Sequence, residues 1–403
     1  MKPASSFAEK LALEGGVPVR STLLPYGHQV IEDADIAAVT EALRSDFLTT
    51  GPEVERFEQA VAQISGARYA IAVSNGTAAL HAAVAALDLS PEDEVIVPAL
   101  TFAASANCVR YCGARVVFAD VRPDSLTLDP AAVRAAVTPR AKAVIAVDFA
   151  GQPADYAELR ELASRHHLAL IADAAHSLGA RYRDRPSGSL ALMTTFSFHP
   201  VKHITTGEGG MIVTSDERLA ARLRRFRNHG IATDFRQREA GGDWFYRMEM
   251  LGFNYRLSDL QCALGRAQLQ RLPRWLDRRR ALVAAYGEAL AAQPALELPI
   301  TLPGRDSAWH LYVARLRLPN LRWERKQIFQ ALRAENIGVN VHYIPVPWHP
   351  YYQQLGYRRG DWPVAEAEYE RLLSLPLWAG MDRADIGDVA HALRKVLAAA
   401  GAN

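Results

Sequence analysis

Cysteine is scarce in this chain, with three residues, Cys108, Cys112 and Cys262, among 403. The spacing of Cys108 and Cys112 fits one helix face, but no further Cys/His pair lies nearby to complete a zinc set. They read as reduced packing residues of a cytoplasmic protein, and no metal site is expected. Long apolar runs are missing too. No stretch approaches about 20 uninterrupted apolar residues, so no membrane span is expected. Met1 to Lys10 lacks the apolar core of a signal peptide. An excess of one charge is also absent: 46 Lys and Arg face 44 Asp and Glu, a net +2. Charge therefore gives no reason to expect nucleic acid or a membrane surface as partner. The one basic cluster, Arg278-Arg279-Arg280, reads as a solvated helix face. Internal repeats and low-complexity tracts are absent.

What is present is ordinary globular composition, 49% hydrophobic and 22% charged, in a chain long enough for two domains. Residues 1–23 look like an arm. Ile31 to Leu43 predicts a helix with Ile31, Ile36, Val39 and Leu43 on one face, and Pro52 opens another carrying Val54, Phe57, Val61 and Ile64. Apolar β runs then alternate with helices: Tyr69–Val73, Val95–Pro98, Val116–Ala119, Ala143–Val147 and Leu168–Ala172. That pattern predicts an α/β fold whose sheet is mixed, mostly parallel and flanked by helices. Met193–Phe198 and Met211–Thr214 are close enough for a hairpin-like antiparallel insertion. Glu239 to Trp244 reads as a polar loop. Helices over Ser258–Gln270 and Arg274–Leu290 lead out of the larger domain, with Pro273 breaking the path between them. A strand at Leu311–Leu316, a helix at Arg325–Glu335 and a strand at Gly338–Tyr343 predict a smaller α+β domain. The expected division is 24–265 and 266–403.

Three segments carry chemistry. Ser74-Asn75-Gly76-Thr77 joins a strand to a helix, where free N–H groups and the helix dipole would hold a phosphate. An ordinary tight turn has the same signature. Asp173 ends an apolar strand, where ligands of open α/β sheets gather; a helix cap would also use an aspartate there. Ser197 and Lys202 follow the next strand, ahead of a glycine-rich turn. A lysine for an aldehyde, an acid for a ring nitrogen and donors for a phosphate are the needs of pyridoxal phosphate (PLP). Lys202 would have to be neutral enough to act as a base, which a partly dry site allows. Phe102 follows a strand end and suits stacking on a flat ring, or plain core packing. His176 suits either a place beside the cofactor or a hydrogen-bonded core position.

Together these segments resemble the sugar aminotransferases of the DegT/DnrJ/EryC1/StrS family, which have the fold-type I PLP architecture. The resemblance rests on Leu48-Thr49-Thr50-Gly51-Pro52, Ser74 to Leu80, Asp173-Ala174-Ala175-His176-Ser177, Ser197 to Gly210, and Gly252 to Asp259. It implies a large PLP-binding domain over 24–265. It implies Lys202 as the Schiff-base lysine, Asp173 as the pyridinium partner and Phe102 as the ring-stacking residue. Gly76, Thr77 and Ser197 would contact the phosphate, and His176 would sit in the cofactor site. Asn254 would reach the phosphate in a neighbouring subunit, making a homodimer with shared active sites. The implied reaction is a transamination from L-glutamate to a nucleotide-linked keto sugar, with a pyridoxamine phosphate intermediate form. Within the family, Ser197 to Lys202 and Ile204 to Gly210 are most similar to C4-aminotransferases of pseudaminic acid biosynthesis, which make UDP-4-amino-4,6-dideoxy-N-acetyl-β-L-altrosamine. Tyr26, Phe47, Leu48, Thr49, His342 and Tyr343 match their substrate-contact regions. Other family sugars, perosamine, bacillosamine-type or 4-amino-arabinose, and a non-catalytic PLP-binding regulatory protein, are the alternatives.

Overall fold

The computed structural model describes residues 9–233 and 235–401. Its centre is a seven-stranded sheet: β1 (Tyr69–Val73), β2 (Glu94–Pro98), β3 (Arg115–Ala119), β4 (Ala141–Val147), β5 (Ala169–Asp173), β6 (Met193–Ser197) and β7 (Gly210–Thr214). The spatial order is β1-β7-β6-β5-β4-β2-β3. Neighbours from β3 across to β6 pair parallel, while β7 runs antiparallel to both β6 and β1. Helices cover both faces, so strands such as β2 and β7 are buried at every position, as continuous apolar runs require. The expected hairpin-like insertion is corrected in one respect. β6 and β7 do pair antiparallel, but β7 slots into the sheet, with Ile71 opposite Ile212 on one side and Phe196 opposite Met211 on the other.

This topology sets the site. β1, β2, β5 and β6 all end at one edge, and the segments after Val73, Pro98, Asp173 and Ser197 emerge there together. Two helices frame that edge. In α3 (Gly76–Ala85), the Asn75 side chain caps the start by accepting from Ala78 N at 2.8 Å. α4 (Ala104–Tyr111) follows β2.

Three helix expectations need correction. α1 (Asp33–Arg44) forms, but its expected core face is outside: Ile31, Ile36 and Leu43 are exposed, while Asp35 and Ala42 are buried. The reason is ionic. Gln268 and Arg271 both bond the Asp35 carboxylate, the former at 2.7 Å, which draws the polar face inward. Arg279, expected on a solvated face, is buried. Pro273 lies in the first turn of the helix Leu272–Leu290, where its fixed φ is favourable, and so starts that helix.

A second, smaller sheet joins Leu296–Glu297, Tyr312–Leu316 and Leu372–Leu375 antiparallel. Helices Arg325–Ala334 and Arg383–Ala399 pack on it around a separate apolar cluster that includes Ile328, Leu332, Leu393 and Val396. Gly338–Tyr343 is not a strand; only Asn340 pairs, with Ser374, as an isolated bridge. Consecutive residues Asn340, Val341, His342 and Tyr343 all face the same cavity, which strand alternation forbids. The described part of the N-terminal arm is tied to this second core. Leu11 is buried in it, and Ala12 N and Val19 N donate to the buried Glu335 carboxylate at 2.9 and 3.0 Å. Residues 1–8 of the arm lie outside the described residues. The expected polar loop at Glu239–Trp244 is corrected at its start: Glu239 and Ala240 end a short helix, Phe235–Ala240, and the loop begins at Gly241. Among the described residues no helix is long and apolar enough to cross a membrane.

Candidate active site

A cavity of about 910 Å³ opens at the strand edge. Gly76, Thr77, Phe102, Asp173, His176, Ser197, Lys202, Tyr26, His342 and Tyr343 all line it, from segments scattered over most of the chain. Phe47, Leu48, Thr49 and Asn254 do not line it. Thr49 bridges to Ser258 and Asn254 to Asn228 instead.

Asp173 is buried at the end of β5. Its carboxylate accepts from Ser105 Oγ at 2.7 Å and from Ala175 N at 3.3 Å. Burial pushes its pKa up, and the Ser105 bond opposes that. Ser105 is held in turn by Thr101, 2.8 Å away hydroxyl to hydroxyl. Sequence reasoning missed Ser105. Its one signal was position, near the start of the helix that follows β2.

Lys202 sits in a turn beyond β6, its N–H donating to the His199 carbonyl at 2.9 Å. Burial lowers its amine to about 8, against a partial rise from Asp173. Roughly one amine in ten is then neutral at pH 7, against about one in 2,500 for a free lysine. This is the property a nucleophilic and proton-moving lysine needs.

The cradle is steric as well as polar. A Cβ on Gly76 would meet Ser197 Cβ at 2.9 Å, and one on Gly210 would meet the Asn75 carbonyl at 2.4 Å. Glycine therefore lets the start of α3, β6 and β7 close up, leaving the N–H groups of α3 facing the cavity. Phe102 presents its ring to this space and is 57% exposed, so it is not a core residue.

On the other wall, the Tyr343 hydroxyl lies 3.1 Å from His176 Nε2. The His176 ring packs on His310, centroids 4.3 Å apart. Burial holds both imidazoles well below their usual pKa, so both are neutral. His342, pushed down to about 3 by burial and then by Lys202, lies 2.7 Å from Ser374 Oγ through Nδ1. Its ring centroid is 5.4 Å from that of Tyr26. His310 was also missed, since Trp309-His310-Leu311 reads as the approach to a strand.

An acid, a low-pKa lysine, phosphate donors and an open aromatic face thus meet at one edge. The residues present fit PLP: Lys202 would take its aldehyde, Asp173 would face its ring nitrogen, and Gly76, Thr77 and Ser197 would hold its phosphate. The fold and site define a PLP-dependent aminotransferase of fold-type I. More narrowly, the chain belongs to the DegT/DnrJ/EryC1/StrS aminotransferase family, matched over residues 29–394. It is 41% identical over 384 residues to the spore coat polysaccharide biosynthesis protein SpsC of Bacillus subtilis, covering 94% of this chain and 99% of that one. Spr1654 of Streptococcus pneumoniae, described as a sugar aminotransferase and solved with pyridoxamine phosphate, superposes with a TM-score of 0.89 at 29% identity. That match covers 93% of this chain and 99% of the other. Helicobacter pylori PseC, an aminotransferase of pseudaminic acid biosynthesis, superposes with a TM-score of 0.88 at 29% identity, covering 94% and 100%. The chain is accordingly a PLP-dependent enzyme of sugar amination.

Proposed function

We propose that this enzyme transfers the amino group of L-glutamate to C4 of a UDP-linked 4-keto-6-deoxy-L-arabino-N-acetylhexosamine, giving UDP-4-amino-4,6-dideoxy-N-acetyl-β-L-altrosamine. The observation that carries the chemistry is the convergence of Lys202 and Asp173 in one cavity large enough for a cofactor and a sugar. Bound PLP would take up the donor's amino group and pass it to the keto carbon. Lys202 takes the proton from the donor's α-carbon and delivers one to C4 of the sugar. Asp173, fixed by Ser105, supports positive charge at the ring nitrogen. Phe102 and His176 line the cavity where the cofactor ring would lie. The likeness to PseC supports the L-altro sugar. The higher identity to SpsC favours a second reading, the same reaction on another nucleotide-linked keto sugar.

The reading includes a homodimer acting in the cytoplasm. Asn254, with Phe47, Leu48 and Thr49, would serve the partner's site, in keeping with their absence from this chain's own cavity. The exposed Leu48, Leu251 and Phe253 suit burial against a second copy. Co-expressing Lys202→Ala with Asn254→Ala chains should restore turnover that neither variant has alone; no recovery would remove the shared site.

The first experiment is mass spectrometry and NMR of the product from the UDP-keto sugar, L-glutamate, PLP and purified enzyme. A 4-amino L-altro product that disappears with Lys202→Ala is expected. Conversion of bound PLP by glutamate without a sugar product would discard this sugar and favour the second reading. Multiple turnover by Lys202→Ala would sink the mechanism.

A further inference from the structure

Arg279 is a buried cation that the site's chemistry does not use. It is 3% exposed and sits on the helix Leu272–Leu290, in the cluster expected to be solvated. No carboxylate pairs with it among the described residues. Its Nη1 instead donates to three main-chain carbonyls, Trp309 at 3.0 Å, His310 at 3.2 Å and Leu377 at 3.0 Å. Burying a charge without a counter-ion is costly, and an apolar side chain of similar size would avoid the cost. What the charge does is therefore to be sought in the groups it holds.

Those three carbonyls belong to two segments, one that lines the cavity through His310 and one that holds a lining residue. One carries His310, whose ring packs on His176 at 4.3 Å. The other is Leu377, whose N–H donates to the Tyr26 carbonyl at 3.0 Å; Tyr26 lines the cavity beside His342. Arg279 also borders a small void behind the site, shared with Lys202 and His203. Lys202 and Asp173 are anchored by different bonds, to His199, Ser105 and Ala175.

We propose that Arg279 is a positioning residue for the acceptor side of the cavity. By fixing the backbone of His310 and, through Leu377, that of Tyr26, it sets the width of the space that receives the sugar. It touches neither cofactor nor reacting atoms. The inference rests on the sugar-aminotransferase reading only for the choice of substrate.

Because all three carbonyls gather on one nitrogen, a lysine ammonium, with three donors at a point, can replace the guanidinium. A methionine cannot. The test compares Arg279→Lys and Arg279→Met with wild type in steady-state kinetics, on a keto sugar that wild type converts. Circular dichroism and PLP content check the fold. The methionine variant should raise KM for the sugar at least tenfold while kcat stays within about threefold, and the lysine variant should stay within about threefold in both. Unchanged KM in the methionine variant would overturn the proposal. So would a folded lysine variant whose KM rises as far, and that criterion holds even if the methionine variant does not fold. Wild-type turnover in the same assay keeps failure of this inference separate from failure of the sugar assignment.

Discussion

At the scale of single residues, the reactivity of the site comes from how dry it is. The Lys202 amine, lowered to about 8 by burial, changes state inside an accessible pH range. Its neutral form is the one that reacts with an aldehyde. The rate at which the apo-protein captures PLP should therefore climb about tenfold per pH unit below 8 and level off above it. Stopped-flow absorbance would follow this, and a plateau reached only near 10 would contradict the burial argument. The same shift has a sign for stability. The folded amine binds its proton less tightly than the unfolded one, so between pH 8 and the ordinary lysine value the unfolded chain holds more protons. Apo-protein stability should rise with pH across that window. Ser105 is the second residue-scale test. Ser105→Ala removes the 2.7 Å bond to the Asp173 carboxylate, and a hydrogen bond to a charged group contributes about 1.5–3 kcal/mol. Glutamate-driven conversion of bound PLP should slow by roughly tenfold or more, measured in single turnover.

At the scale of elements, the start of α3 depends on a contact distance. Gly76→Ala would force a Cβ to within 2.9 Å of Ser197 Cβ, so PLP affinity should drop by an order of magnitude or more in a fluorescence titration, with the sheet intact by circular dichroism. The strands that build this edge were readable because buried parallel strands are continuous apolar runs, and Asp173, Ser197 and Lys202 stand at their ends. α1 was readable as a helix but not in orientation. Its apolar stripe of Ile31, Ile36 and Leu43 is exposed, because the partners of Asp35 lie more than 230 residues away, at Gln268 and Arg271. Periodicity carries no record of a distant guanidinium. Ser105 and His310 were missed, and Arg279 was misread as solvated, for the same reason. Each takes its meaning from a contact made across the fold.

At the scale of the whole molecule, a buried ion pair ties the N-terminal arm to the smaller core. Lys395 Nζ and Glu335 Oε2 are 2.9 Å apart. Lys395 also donates to the Val17 carbonyl at 3.0 Å. Glu335→Ala would leave that ammonium buried without its partner, a loss of about 3–5 kcal/mol. Urea unfolding should show it, and the arm should become sensitive to proteolysis near Val17. A variant that unfolds like wild type would mean that the arm is held by its other contacts, such as Arg20 with Asp385 and Asp388, and not by this carboxylate.

The tie between Glu335 and the arm also orders events in time. Ala12 and Val19 leave the ribosome well before the carboxylate they bind, which lies 323 and 316 positions further along. The ammonium that completes the cluster, on Lys395, comes later still. During synthesis the segment from Ala12 to Val19 must wait, without this cluster, until the helix that carries Lys395 has been made. A nascent chain halted before Lys395 should therefore keep the segment from Ala12 to Val19 open to a protease even where the large sheet is already complete.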